Sequence, residues 1–217
     1  MSMNFGREQA LLRQRFTEAG SEQTIAERRS QFGDKLKHLG AAEDEILRAA
    51  RELTEQFPEM GRAQMTAFVR TLWQSKTYDL QRCAVEVLCL RAELLEPPDL
   101  PFLEGLLQES LVAPVTAVLA DRALGTLVCR SKKLWKDLQR LAKGSNAALR
   151  RAAVLATRAP VCADPKVFER FEKLVTPLLE VEDPELQAAI DATLAQAREH
   201  DADAVRQFAA AHGRELD

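Results

Sequence analysis

"LRRAAVLAT", residues 149–157, spaces leucine, alanine and valine as the buried stripe of a helix does, and it keeps small residues where a large one would hold a neighbouring helix away. The pattern recurs along the chain. "LQRCAVEVL" (80–88), "LADRALGTL" (119–127) and "ELQAAIDAT" (185–193) each set an alanine directly before a large aliphatic residue. In chain order the pairs are Ala84-Val85, Ala123-Leu124, Ala153-Val154 and Ala189-Ile190, with the alanines 39, 30 and 36 residues apart. A small residue at one recurring helix position admits a second helix closely, and a period in the thirties is that of a helix pair.

The rest of the chain supports helices throughout. Of its 217 residues 46% are apolar, 29% charged and only 6% aromatic, and glycine and proline number nine each. Such a composition belongs to a globular protein of helices joined by short turns. Apolar spacing and breaks predict helices near 6–18, 21–37, 42–56, 61–74, 77–94, 99–108, 114–128, 131–143, 146–158, 165–180, 183–199 and 202–212. No stretch alternates as a strand would. The expected fold is therefore all-α, a HEAT-like repeat solenoid: a curved stack of antiparallel helical hairpins forming one domain over residues 1–217, with residues 1–40 as a candidate cap. The repeated second helices should line the concave side, where Arg82 and Arg151 hold the same repeat position.

Charge is unevenly placed. The net formal charge of −3 gives no general attraction to a polyanion, yet residues 130–151 carry eight basic side chains against Asp137 alone. Residues 162–217 reverse the balance, with six basic and thirteen acidic. One segment is thus suited to nucleic acid and another to a basic protein partner. The four cysteines, at 83, 89, 129 and 162, lack CxxC or Cys/His spacing and read as buried reduced thiols, so neither a metal site nor a disulfide framework is expected. With no leader-like or membrane-length apolar run, the expected location is cytoplasmic, and no membrane partner is expected.

No catalytic cluster stands out. A glycine-rich phosphate loop, HExxH and GxSxG are all missing, and no cofactor is implied. His38 reads as a charge at a helix C-terminus, and His200 and His212 as solvent-facing side chains. Asp121 reads as an exposed partner of Arg122 or Arg151. Trp73 and Trp135 read as packing residues, although Trp135 stands among lysines.

Five segments in register carry a family resemblance: "VRTLWQSKTYDLQRCAVEVL" (69–88), "PFLEGLL" (101–107), "LGTL" (124–127), "LRRAAVLA" (149–156) and "LQAAIDATLAQAREHDADAVRQF" (186–208). Together they resemble the HEAT-like DNA alkylation repair glycosylases of the AlkD type, over roughly residues 30–212. The resemblance implies a C-shaped stack with a basic concave surface for duplex DNA and, in active members, release of cationic alkylated purines. That chemistry calls for a carboxylate and aromatic faces beside an oxocarbenium-like sugar. Matched without gaps from Pro101 to Gly125, the family's tryptophan pair falls on Val112 and Ala113 and its aspartate on Ala117. The later tryptophan falls on Ala192. The family's arginine alone is kept, as Arg151.

The sequence accordingly supports a non-catalytic DNA-binding member of the DNA alkylation repair family. Its expected phosphate contacts are Arg151, Arg82, Arg150, Lys132, Lys133, Lys136 and Lys143, and its expected partner is duplex DNA, including bent, branched or damaged forms. Two other readings stand beside it: a protein-binding helical scaffold using the acidic C-terminal third, and a DNA glycosylase releasing N3- or N7-alkylated purines with relocated catalytic groups.

Overall fold

The computed structural model describes residues 3–214. Among the described residues the protein is all-helical, with no strand and one isolated bridge between Lys37 and Thr77. Its helices are α1 (Phe5–Glu18), α2 (Glu22–Phe32), α3 (Glu43–Gln56), α4 (Arg62–Trp73), α5 (Tyr78–Leu90), α6 (Leu100–Glu109) and α7 (Ala113–Val118). After a π turn at Leu119–Leu124 come α8 (Gly125–Arg130), α9 (Trp135–Lys143), α10 (Ala147–Leu155), α11 (Arg158–Ala163), α12 (Phe168–Val175), α13 (Pro184–Arg198) and α14 (Ala202–His212). None of the described helices is long and apolar enough to cross a membrane. The chain gathers into two compact units, one of residues up to Leu95 with Ser110–Val115, the other of Glu96–Glu109 with the chain from Thr116 onward.

In the first unit α5 is the central element: every residue from Tyr78 to Leu88 is buried, and α1, α3 and α4 pack around it. A helix buried on all sides must find partners for its polar side chains as well. Asp79 does so through Arg28 Nη1, 2.7 Å from its Oδ1, and through the backbone N–H groups of Leu39 and Ala41 at 2.7 and 3.1 Å. Arg28 also donates to Ala41 O at 2.6 Å and lies over the Tyr78 ring. Two glycines let the chain close this knot. Gly40 has φ +86°, and a Cβ there would stand 2.6 Å from Ser21 O; one at Gly20 would stand 2.0 Å from Leu39 O.

In the second unit α10 packs between α9 and α13 and touches α6. Its entry is capped by Asn146, whose Oδ1 accepts from Leu149 N, while Asp183 caps α13 ahead of Pro184 and Asp201 caps α14. Ala123, Ala153 and Ala189 in this unit, and Ala84 in the first, are all buried, at 6% exposure or less. The recurring small residue marks helix contact, as its spacing implied.

Differences from the sequence reading have local causes. The helix expected over 21–37 stops at Phe32, where Gly33 turns at φ 73°, because the following segment must bring Leu39 and Ala41 to Asp79. The helix expected over 146–158 ends at Leu155, since continuing it would drive the Pro160 ring into the Ala156 carbonyl; α11 starts anew at Arg158. The helix expected over 114–128 carries the π turn in its middle. His38 is not at a helix C-terminus, since α2 ends at Phe32; it is buried in the following segment, with Nε2 3.1 Å from Gly33 O. Trp73 and Trp135 are buried at 2% and 5% exposure. Of the four free thiols only Cys83 is fully buried, and Cys129 is exposed.

Candidate nucleic-acid interface

The basic segment runs through a 3-10 turn, α9 and the start of α10. In α9 Trp135, Leu138, Leu141 and Ala142 are buried, so Lys136 and Lys143, seven residues apart, fall together on the outer face. Lys132 and Lys133 precede them in a 3-10 turn that ends on buried Leu134. Lys132, Lys133, Lys136 and Lys143 are all exposed, and none of them forms an ion pair among the described residues. Arg140, on the same face, is engaged instead by Glu104 of α6 and by Asp137, and the Glu104 carboxylate holds its guanidinium above the usual arginine range.

The three arginines of the sequence reading differ in position. Arg150 and Arg151 diverge by about 100° around α10. Arg150 turns toward the end of α9, where Nη1 donates to Gly144 O at 3.3 Å and Nε is buried without an acceptor. Arg151 turns toward α13 and pairs with Glu185, with the arginine side chain 15% exposed and the glutamate 66%. Arg82 belongs to the first unit and is buried, paired with Glu43 at 2.6 Å and Glu86 at 3.2 Å. Lys132, Lys133, Lys136, Lys143, Arg150 and Arg151 all belong to the second unit, with Arg150 and Arg151 directed to different neighbours of α10, while Arg82 is held inside the first unit by its own carboxylates.

The sequence matches the model of the DNA alkylation repair enzyme family over residues 12–217. The chain belongs to this family. Among solved structures it is similar to a protein described as "Predicted DNA alkylation repair enzyme from Enterococcus faecalis", at 12% identity, with a TM-score of 0.75 and coverage of 87% of this chain and 88% of that one. A comparison with curated proteins gives no match.

For this DNA alkylation repair family member, the helix from Ala113 is where the resemblance sought a carboxylate and aromatic rings. Ala113 is exposed and Ala117 half-buried on α7, and Ala192 is exposed on α13. Each presents a methyl group. The nearest carboxylate along the helix, Asp121, sits in the π turn, half-buried rather than exposed, and Arg158 Nη1 reaches its Oδ2 at 3.0 Å. Arg158 is fixed in turn by Gln196 of α13, whose Oε1 accepts from Nε at 2.9 Å. Burial pushes the Asp121 carboxyl above the usual aspartate range, with the Arg158 and Arg122 charges opposing. The Asp121–Arg158–Gln196 links were missed by the sequence reading, and the glutamate that pairs with Arg151 was not singled out in it. Only the repeat spacing hinted at them, since each joins neighbouring helix pairs 34 to 38 residues apart.

Proposed function

We propose that the protein is a non-catalytic DNA-binding member of the DNA alkylation repair enzyme family, holding duplex DNA chiefly through its phosphates. The observation that carries the reading is the substitution at the family's reactive positions. Ala113, Ala117 and Ala192 supply neither a carboxylate nor a ring face, so the electrostatic and cation–π contributions to C–N cleavage are lost together. Binding is assigned to Lys132, Lys133, Lys136 and Lys143, whose side chains are exposed and unpaired among the described residues, with Arg150 and Arg151 as further cations of the same unit. Arg82 contributes through the fold of its unit, given its burial.

Two measurements test this. Release of free N3- or N7-alkylated purine from duplex DNA should stay at the uncatalysed rate at saturating protein, and robust release would sink the non-catalytic reading and turn attention to Asp121. Replacing all four lysines by alanine should weaken binding to every duplex sequence alike and flatten the dependence of log K on log salt, by about 0.9 for each phosphate contact removed. A second reading, a protein-binding helical scaffold, is favoured by the engagement of Arg82 and Arg151 with internal carboxylates. It takes first place if the wild-type chain shows no salt-dependent affinity for linear, nicked or branched DNA.

A further inference from the structure

A cavity of about 340 Å³ opens in the second unit between the end of α9, the side of α10 and the segment after α12. Its floor is apolar: Ala142, Leu174 and Leu178 are buried side chains, continued by Pro177 and Val181. Its polar lining is one-signed. Lys143, Arg150 and Lys173 converge on it with Gln139, and no carboxylate lines it. Lys173 is paired with Glu169 at 2.5 Å, but Lys143 has no ion pair among the described residues. Arg150 makes only the 3.3 Å bond to Gly144 O and leaves Nε buried without an acceptor. The wall is fixed from behind, where the Gln187 amide donates to the carbonyls of Leu178 and Val181 at 2.9 Å each.

We propose that this cavity binds a small amphipathic organic anion, with one phosphate, sulfonate or carboxylate headgroup at Arg150 and Lys143 and an apolar body against Leu174, Pro177, Leu178 and Val181. A buried guanidinium N–H without an acceptor is an unmet demand that an anionic oxygen satisfies with a charge-assisted bond. The apolar floor gives a bare inorganic ion nothing further, whereas an alkyl or aryl body leaves water there. Volume and lining are those of a small-molecule site rather than of an exposed phosphate contact. The site shares Arg150 and Lys143 with the proposed duplex interface, whereas its apolar lining of Leu174, Pro177, Leu178 and Val181 is outside that interface.

The test is isothermal titration of the full chain with octyl phosphate, below the concentration at which it forms micelles, against inorganic phosphate and octanol. The expected result is saturable binding of one octyl phosphate, with both controls weaker by at least about tenfold. Arg150→Ala, with its fold checked by circular dichroism, should lose at least about tenfold in affinity. Val181→Trp, which fills the cavity and keeps every charge, should abolish probe binding and leave duplex DNA affinity unchanged, so a failure of this site is separable from a failure of the DNA reading. The proposal is overturned if Arg150→Ala or Val181→Trp binds the probe as the wild type does. It is equally overturned if inorganic phosphate binds as tightly as octyl phosphate, or if no probe binding is seen.

Discussion

Asp79 shows how much a single residue can carry here. Its carboxylate answers one guanidinium and two backbone N–H groups, and its side chain is fully buried. Asp79→Ala would leave Arg28 charged and unpaired in the interior, with an expected loss of about 3–5 kcal/mol, read as a lower urea midpoint. Little of this was legible beforehand. In the sequence Asp79 is one acid in the first turn of a helix, and its partner lies 51 residues earlier with no periodic relation to it. The thiols invite a second check. Burial pushes the Cys83 thiol up to about 12 and also raises that of Cys129, but only the Cys129 side chain of the two is exposed to a reagent. A thiol reagent at neutral pH should therefore label Cys129 in the folded protein and reach Cys83 only on unfolding.

At the scale of elements, the small-then-large repeat was the most readable signal. Alanine at a helix contact is dictated by the spacing of the helices themselves, and packing periodicity is written locally. Ala153 is fully buried in α10 beneath its neighbours, so Ala153→Leu should cost about 1–3 kcal/mol by overpacking, measured by thermal or urea unfolding. The π turn at Leu119–Leu124 was not readable, because residue types allow the α and π forms alike and a contact outside the helix decides which way Asp121 points. Asp121 also gives a pH prediction. A carboxyl whose folded pKa lies above its unfolded value contributes stability below the ordinary aspartate range and loses it as pH rises through the folded value. Asp121→Asn should remove that decline, seen as a flatter melting temperature across the carboxylate range, while keeping an acceptor for Arg158.

For the molecule as a whole, charge counting located the basic segment but could not tell which cations are already answered. Lys132 and Arg82 look alike in a sequence; only the structure separates an exposed ammonium from a guanidinium held by Glu43 and Glu86. Arg151 lies between these cases. Its partner Glu185 is mostly exposed, so an arriving phosphate must displace a resident carboxylate. On the proposed reading Glu185→Gln should raise duplex affinity, detected by fluorescence anisotropy at fixed salt, whereas unchanged affinity would remove Arg151 from the interface. The unbroken burial of α5 has a different consequence, for how the protein breathes. Amide protons sealed on every side can trade with deuterium only when the surrounding helices come apart. Those of Cys83 to Leu88 should be the slowest of their unit, and their exchange rate should serve as an internal gauge of that unit's entire opening free energy, readable without any denaturant.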